Sequence, residues 1–406
     1  MAENYRSAGP DSRAHISYGL PFAQAAAKHV EQTFRAGRVY ILASASLAAH
    51  TNQVKTLQDA LDGRVAGIRI GMKPHTLWSE CLEIIEDARR VDADLILTVG
   101  GGSLTDAAKI TALGLANDVT DFNGLQKLTA SGASESEIKE PTIPIICIPT
   151  TLSGGEYNDR AGGTNDETKQ KHSFAGPIKG PQLVILDPQL TTSTPTRWWL
   201  STGIRAVDHC VEAMCSLQST GRSDKDAAEG LRELIPGLLR CQKDSGDLEA
   251  RLQCQLAVIS AVKATKNAPM RGSHGIGHQL GPLGVGHGET SCVLLPAVCR
   301  YNQSVNCEQQ RKGCRIFWSD EDTRAALQSY SPDLTESSDL ADLLHAYFRM
   351  LGMPRSLSAV GVTANMFPQL AKTSLTDRHL PHNPIPLTTA EQVMEILRLA
   401  EWFGKE

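Results

Sequence analysis

Residues 95–109 read Leu95-Ile96-Leu97-Thr98-Val99-Gly100-Gly101-Gly102-Ser103-Leu104-Thr105-Asp106-Ala107-Ala108-Lys109. An apolar run of strand length ends in consecutive glycines, and helical spacing takes over at Thr105. The run is too short for a helix and glycine punctuates the change of period, so the stretch is a strand–turn–helix unit. A strand apolar at nearly every position is buried on both faces, as strands of a parallel sheet are. Three successive glycines exceed what a turn needs. They let the backbone approach a ligand closely, and the amides at a helix start attract phosphate oxygens. The spacing is not G-x-G-x-x-G, so the ordinary dinucleotide fingerprint does not apply. Asp106 and Lys109 share a helix face, and the plain expectation for them is a surface ion pair.

Working outward, similar apolar runs stand at Val39–Ala43, Gly67–Gly71, Ile143–Ile148 and Leu183–Leu186. Helical spacing occupies Leu77–Arg90 and Thr105–Leu115, while residues 124–140 and 153–172 read as loops. Strands alternating with helices predict an α/β domain with a parallel sheet over residues 1–190. From about Pro195 onward the period is helical, for example at Ile204–Leu217, Ala227–Cys241, Leu252–Ala264, Leu340–Leu351 and Ala390–Phe403. An all-helical domain is expected over residues 191–406, with a substrate cleft between the two. The length of 406 residues fits two domains.

Composition bounds the rest. Hydrophobic residues at 41% and charged residues at 21% are globular values. A formal charge of −5 argues against a nucleic-acid partner. No apolar run has the length of a membrane span, and Met1–Arg13 carries no signal-peptide core. A soluble, cytoplasmic protein with a small-molecule substrate is expected. Ten cysteines without a C-x-x-C are expected as buried, reduced thiols.

Two further motifs carry chemistry. Pro149-Thr150-Thr151-Leu152-Ser153-Gly154-Gly155-Glu156 follows a buried strand. Hydroxyls and glycine amides at the carboxyl edge of a parallel sheet suit a nucleotide's phosphates and ribose. His209 lies on a helical stretch, and His274, His278 and His287 follow in a glycine-rich segment. Neutral imidazoles bind divalent transition metals and move protons. The pattern is not H-E-x-x-H, since Gly275 stands where the glutamate would be, so metalloprotease chemistry is unsupported.

Together these motifs resemble the iron-containing alcohol dehydrogenase superfamily, which includes maleylacetate reductases and, more distantly, dehydroquinate synthases. The resemblance runs from the strand near Val39 to Asn383-Pro384-Ile385-Pro386. It implies a dinucleotide-binding α/β domain, an all-helical domain and commonly a homodimer. Carried over, the NADH or NADPH contacts are Gly101, Gly102, Ser103, Thr150, Thr151 and Ser153, with Asp106 near the nicotinamide. The family's iron or zinc site uses an aspartate and a histidine four apart, then two later histidines. His209, His274 and His287 match the histidines, but Arg205 holds the aspartate's place. A fixed cation there repels a dication and removes its anionic ligand. Asp208, about 100° around the helix from His209, is a poor substitute.

The short PTTLSGGE turn resembles the maleylacetate reductase branch, whose members work without a metal. The leading expectation is an NAD(P)H-dependent reductase passing hydride to a carbonyl or conjugated enone of an acidic substrate. In it Arg205 anchors the acid group or oxyanion, with His278 and His274 for proton transfer. One alternative is a metal-dependent alcohol dehydrogenase using His209, His274 and His287. Another is a non-redox lyase or cyclase on the same fold. Ser44, directly after the first strand, takes the place where the family's acidic residue discriminates against NADPH. It also suits a helix N-cap.

Overall fold

Side chains alternate across each buried strand, and the two faces of the sheet collect separate cores. The computed structural model describes residues 2–404 apart from 10, 11, 74, 133–136, 175 and 269. Its strands are β1 (Asn4–Ser7), β2 (His15–Tyr18), β3 (Val39–Ala43), β4 (Val65–Ile70), β5 (Leu95–Gly100), β6 (Ile145–Pro149), β7 (Ala161–Asn165), β8 (Gln170–Phe174) and β9 (Leu183–Leu186). Seven form one sheet in the order β1-β2-β9-β6-β5-β3-β4, parallel at every pairing but β1–β2. Tyr40 and Leu42 of β3 pack with Trp78, Ile84 and Ile110 on one face. Val39, Ile41 and Ala43 pack with Phe22, Val30, Leu47 and Leu57 on the other. Full burial of each large side chain contributes about 1.5–3 kcal/mol.

The order of strands locates a binding edge. From β3 the chain moves outward to β4, then returns to lay β5 on the other side of β3 and continues away to β6 and β9. The direction reverses between β3 and β5. In open parallel sheets, ligands bind beyond the carboxyl ends at such a reversal.

The chain divides into two compact units, Met1–Thr194 and Pro195–Glu406. Among the described residues the second unit contains helices and no strand. Helices Thr196–Met214, Gly221–Lys243 and Leu248–Lys266 pack on one another, and His287–Ser319 packs on the first of them. That long run breaks at Asn306 (φ −134°, ψ 29°), whose amide donates to the Cys215 carbonyl at 2.8 Å. Among the described residues no helix is long and apolar enough to cross a membrane.

Two loop expectations are corrected. Within 124–140 the described part opens on the end of a helix, Phe122–Lys127, capped by Asp121; residues 133–136 lie outside the described set. Within 153–172 stand a short 3-10 turn, Gly155–Tyr157, and most of the β7–β8 hairpin. The hairpin strands, AGGTN and QKHSF, are too polar and glycine-rich to announce themselves. Strands β1 and β2 also escape the reading, since β1 is exposed along its length.

Candidate active site

The carboxyl ends of β3, β5 and β6 bring the expected nucleotide-binding residues of the first unit together. Gly100 has φ +148°, and a Cβ there would lie 2.6 Å from Leu104 Cδ1 and 3.0 Å from Ser44 Cβ. It is the turn glycine, and its closeness to Ser44 joins the ends of β3 and β5. Gly101 and Gly102 face the other turn instead. Their Cβ positions lie 3.5 Å from Thr151 Cγ2 and 3.3 Å from Ser153 Cβ. The Thr150 amide donates to the Gly100 carbonyl at 3.0 Å, and the Thr151 and Ser153 hydroxyls are bonded to each other at 3.0 Å. Helix Gly102–Ala116 starts at this edge, with Ser103 in its first turn. Ser44 caps the helix after β3, accepting from the Leu47 amide at 3.5 Å.

Lys109 is not at the surface. Its side chain is fully buried, and Nζ donates to the carbonyls of Gly155 and Arg160, both at 2.6 Å, and to Asn158 Oδ1 at 3.3 Å. Asp106 lies 3.6 Å from Nζ and accepts from the Gly162 amide at 3.1 Å. The expected surface pair is thus a buried cation that ties helix Gly102–Ala116 to the segment after β6. Burial also pushes the neighbouring Glu156 carboxyl up to about 7, against the pull of Lys109.

In the second unit, helix Thr196–Met214 carries Arg205, Asp208, His209 and Glu212, and helix Gly272–Leu280 carries His274 and His278. Glu212 organises the start of the latter helix. Its carboxylate accepts from the backbone amides of Arg271 at 2.9 Å and Ser273 at 2.8 Å, and from His274 Nδ1 at 2.9 Å. Asp208 Oδ2 accepts from the hydroxyls of Ser273 at 3.0 Å and Ser291 at 2.5 Å. Burial raises the pKa of both Asp208 and Glu212, the latter to about 8, and Asp208 adds to the rise of Glu212. His209 stacks on His274 with ring centroids 4.9 Å apart. Burial and then Arg205 depress both imidazoles, His209 to about 3, so both are neutral at pH 7. His209 Nδ1 and His274 Nε2 are buried without a hydrogen-bond partner among the described residues.

Arg205 pairs with Asp208 on its own helix, at a spacing the sequence offers. It is 2% exposed, and Nη1 donates to Ser291 Oγ at 3.0 Å and Thr290 Oγ1 at 3.4 Å, with Asp208 Oδ2 at 3.7 Å. The guanidinium lies against a buried carboxylate, and Nη1 is engaged inside the protein, while Nε is buried without a hydrogen-bond partner among the described residues. Asp208, read from the sequence as facing away, sits within 3.4 Å of His274 Nδ1.

The family's metal set does not fit these residues. A cation, Arg205, stands in the anionic ligand's place, and His287 is exposed at the start of its helix. Among the described residues, two groups have ligand atoms within 4.8 Å of one another, and neither is His209–His274–His287. In Asp208–Glu212–His274, Glu212 accepts from two backbone amides and Asp208 Oδ2 from two hydroxyls, while Asp208 Oδ1 has no partner among the described residues. In His278–Asp377–His379, His278 Nδ1 and Asp377 Oδ2 bond each other at 2.8 Å. Sequence reasoning missed Asp377, which lies 99 residues beyond His278.

A glycine-turn strand edge on an α/β unit, followed by a helical unit with clustered histidines and carboxylates, defines a class of nucleotide-using oxidoreductase folds. The chain belongs to one family within it. Residues 20–188 match the iron-containing alcohol dehydrogenase family and residues 199–400 match the Fe-containing alcohol dehydrogenase family, C-terminal. The protein is accordingly an oxidoreductase. It is similar to Dehydrogenase ALT3 of Alternaria alternata, 38% identical over 90% of this chain and 99% of that one. It is also similar to Dehydrogenase FUM7 of Gibberella moniliformis, 36% identical over 96% of each chain. The crystal structure of maleylacetate reductase from Agrobacterium tumefaciens superposes with a TM-score of 0.76 over 100% of both chains, at 22% identity. That last likeness is one of fold.

Proposed function

We propose that this chain is an NAD(P)H-dependent reductase of a carbonyl or conjugated enone that works without an essential metal. The observation that carries the reading is Arg205, buried and bonded to Ser291, Thr290 and Asp208 where a metal's carboxylate would stand. Gly101, Gly102 and Ser103 cradle the pyrophosphate, Thr150, Thr151 and Ser153 offer hydroxyls to it, and Ser44 stands against the adenosine ribose. Asp106 lies toward the nicotinamide. The nicotinamide, when bound, supplies the hydride.

Reduction of a carbonyl also needs a proton. His274 is held against Glu212 through Nδ1, and burial keeps its ring neutral, so it is not the imidazole poised to carry a proton. His278, paired with Asp377 and a quarter exposed, is the imidazole equipped to carry and release the proton.

Aldehydes, ketones and enoic acids assayed with NADH and NADPH, before and after strong chelators, test the proposal. Turnover should persist with clearly less than one transition metal per chain. Turnover abolished by chelation and restored by iron or zinc would overturn it. One observation favours the metal-dependent alternative: the stacked His209 and His274 each leave a buried nitrogen without a partner among the described residues. The same assay decides between the two.

A further inference from the structure

We propose that Asp377 is a positioning residue for His278, fixing the ring and the nitrogen through which it exchanges a proton. The inference rests on the reading of His278 as proton donor. His278 Nδ1 lies 2.8 Å from Asp377 Oδ2. The carboxylate is itself held, since Oδ1 accepts from the His379 amide at 2.9 Å and the Asp377 amide donates to the Ser374 carbonyl at 2.9 Å. Burial works to raise Asp377, yet the bonds from His278 and the His379 amide keep it below the ordinary carboxylate value. An ionised carboxylate only accepts, so Nδ1 carries the hydrogen and proton exchange runs through Nε2. A shielded carboxylate behind an imidazole holds the tautomer and stabilises the imidazolium, as in hydrolase triads.

The neighbouring sequence is shaped for this contact. A Cβ on Gly275 would lie 2.1 Å from Leu380 Cδ1, 3.3 Å from Asp377 Oδ1 and 3.5 Å from His379 Cβ. Gly275 therefore stands between the two histidines because the 377–380 turn packs directly on that face of the helix. The His278 ring is set edge-on to His274 at 6.4 Å and tilted against His379 at 5.8 Å. Neither neighbour substitutes for the carboxylate: burial depresses His274 and holds His379 at about 4, so both are neutral.

The experiment measures kcat and KM, with the carbonyl compound turned over fastest in the panel above, for Asp377→Asn, Asp377→Ser, Asp377→Glu and His278→Gln. Thermal unfolding of each is recorded alongside. Asp377→Asn should lower kcat at least about tenfold and His278→Gln about 100-fold or more, in the range of general acid catalysis, with KM within about threefold. Asp377→Ser keeps an acceptor for the His379 amide and should lose as much kcat as Asn, which covers a poorly folded Asn variant. Asp377→Glu should recover part of the loss, and Asp377→Asn should add little on top of His278→Gln. A folded Asn or Ser variant with wild-type kcat, beside an impaired His278→Gln, overturns the role of Asp377 alone. A His278→Gln enzyme at wild-type kcat overturns the reading of His278 itself. A stoichiometric metal lost on Asp377→Asn also overturns the proposal, since the carboxylate would then be a ligand.

Discussion

Replacing Lys109 by Met removes a buried cation while keeping the side chain's length and apolar stem. On the sequence alone, Lys109 is half of an exposed i,i+3 pair worth a few tenths of a kcal/mol. The structure implies a larger cost. Nζ is fully buried and holds the carbonyls of Gly155 and Arg160 at 2.6 Å and Asn158 Oδ1 at 3.3 Å. Leaving a buried acceptor without its donor costs about 1–3 kcal/mol, and two short charge-assisted bonds are lost together. Asp106 retains access to water at 28% side-chain exposure, so its uncompensated charge adds little. The expected loss is about 3 kcal/mol, concentrated in the first unit. Urea unfolding, with hydrogen-exchange mass spectrometry on peptides spanning 95–165, measures both the size and the place. Because residues 155–160, which directly follow the Thr150–Ser153 turn, hang from those bonds, NAD(P)H affinity should fall in parallel. A loss under about 0.5 kcal/mol, the range of an exposed pair, would refute the reasoning.

Gly102→Val places a branched side chain where a Cβ already lies 3.3 Å from Ser153 Cβ. NAD(P)H dissociation constants should rise at least tenfold, about 1.4 kcal/mol, in a folded protein; unchanged affinity would remove the turn from the binding site. Ser44→Asp preserves the helix cap and adds a carboxylate, so the kcat/KM preference should shift toward NADH, whereas no shift would misplace the ribose. His345 is buried against Phe403, and burial, then Arg349 and Arg355, depress it from 6.5 to about 4. A depressed histidine favours the fold above its unfolded value, so its contribution is lost as pH falls from about 6.5 toward 4, up to roughly 3 kcal/mol. His345→Leu should flatten acid unfolding over that window, and an unaltered pH–stability curve would count against the assignment.

The α/β organisation was legible because its strands are continuous apolar runs. Val39–Ala43 and Leu183–Leu186 carry the same boundaries in sequence and structure. The meeting of the two expected turns was legible for a related reason: Gly100–Ser103 and Thr150–Ser153 each lie at the end of such a strand, and strands adjacent in a parallel sheet bring their carboxyl ends together. The β7–β8 hairpin was not, since Gly, Asn, Lys and Gln hide a strand whose partner rather than composition makes it one.

The sequence by itself determined the two-part architecture, the glycine turn after β5 and the placing of Arg205 four residues before His209, because these depend on residue identity and short spacing. Tertiary structure alone decided what the charges do. Lys109 became a buried tie because the segment after β6 folds over it, some 46–51 residues away. Arg205 is held inward by Ser291, which meets it from 86 residues away. Asp377 reached His278 across 99 residues because Gly275 leaves room for its turn. A side chain's chemistry is local, but its partner, burial and protonation are set by segments distant in the chain, and no local pattern encodes which of them will arrive.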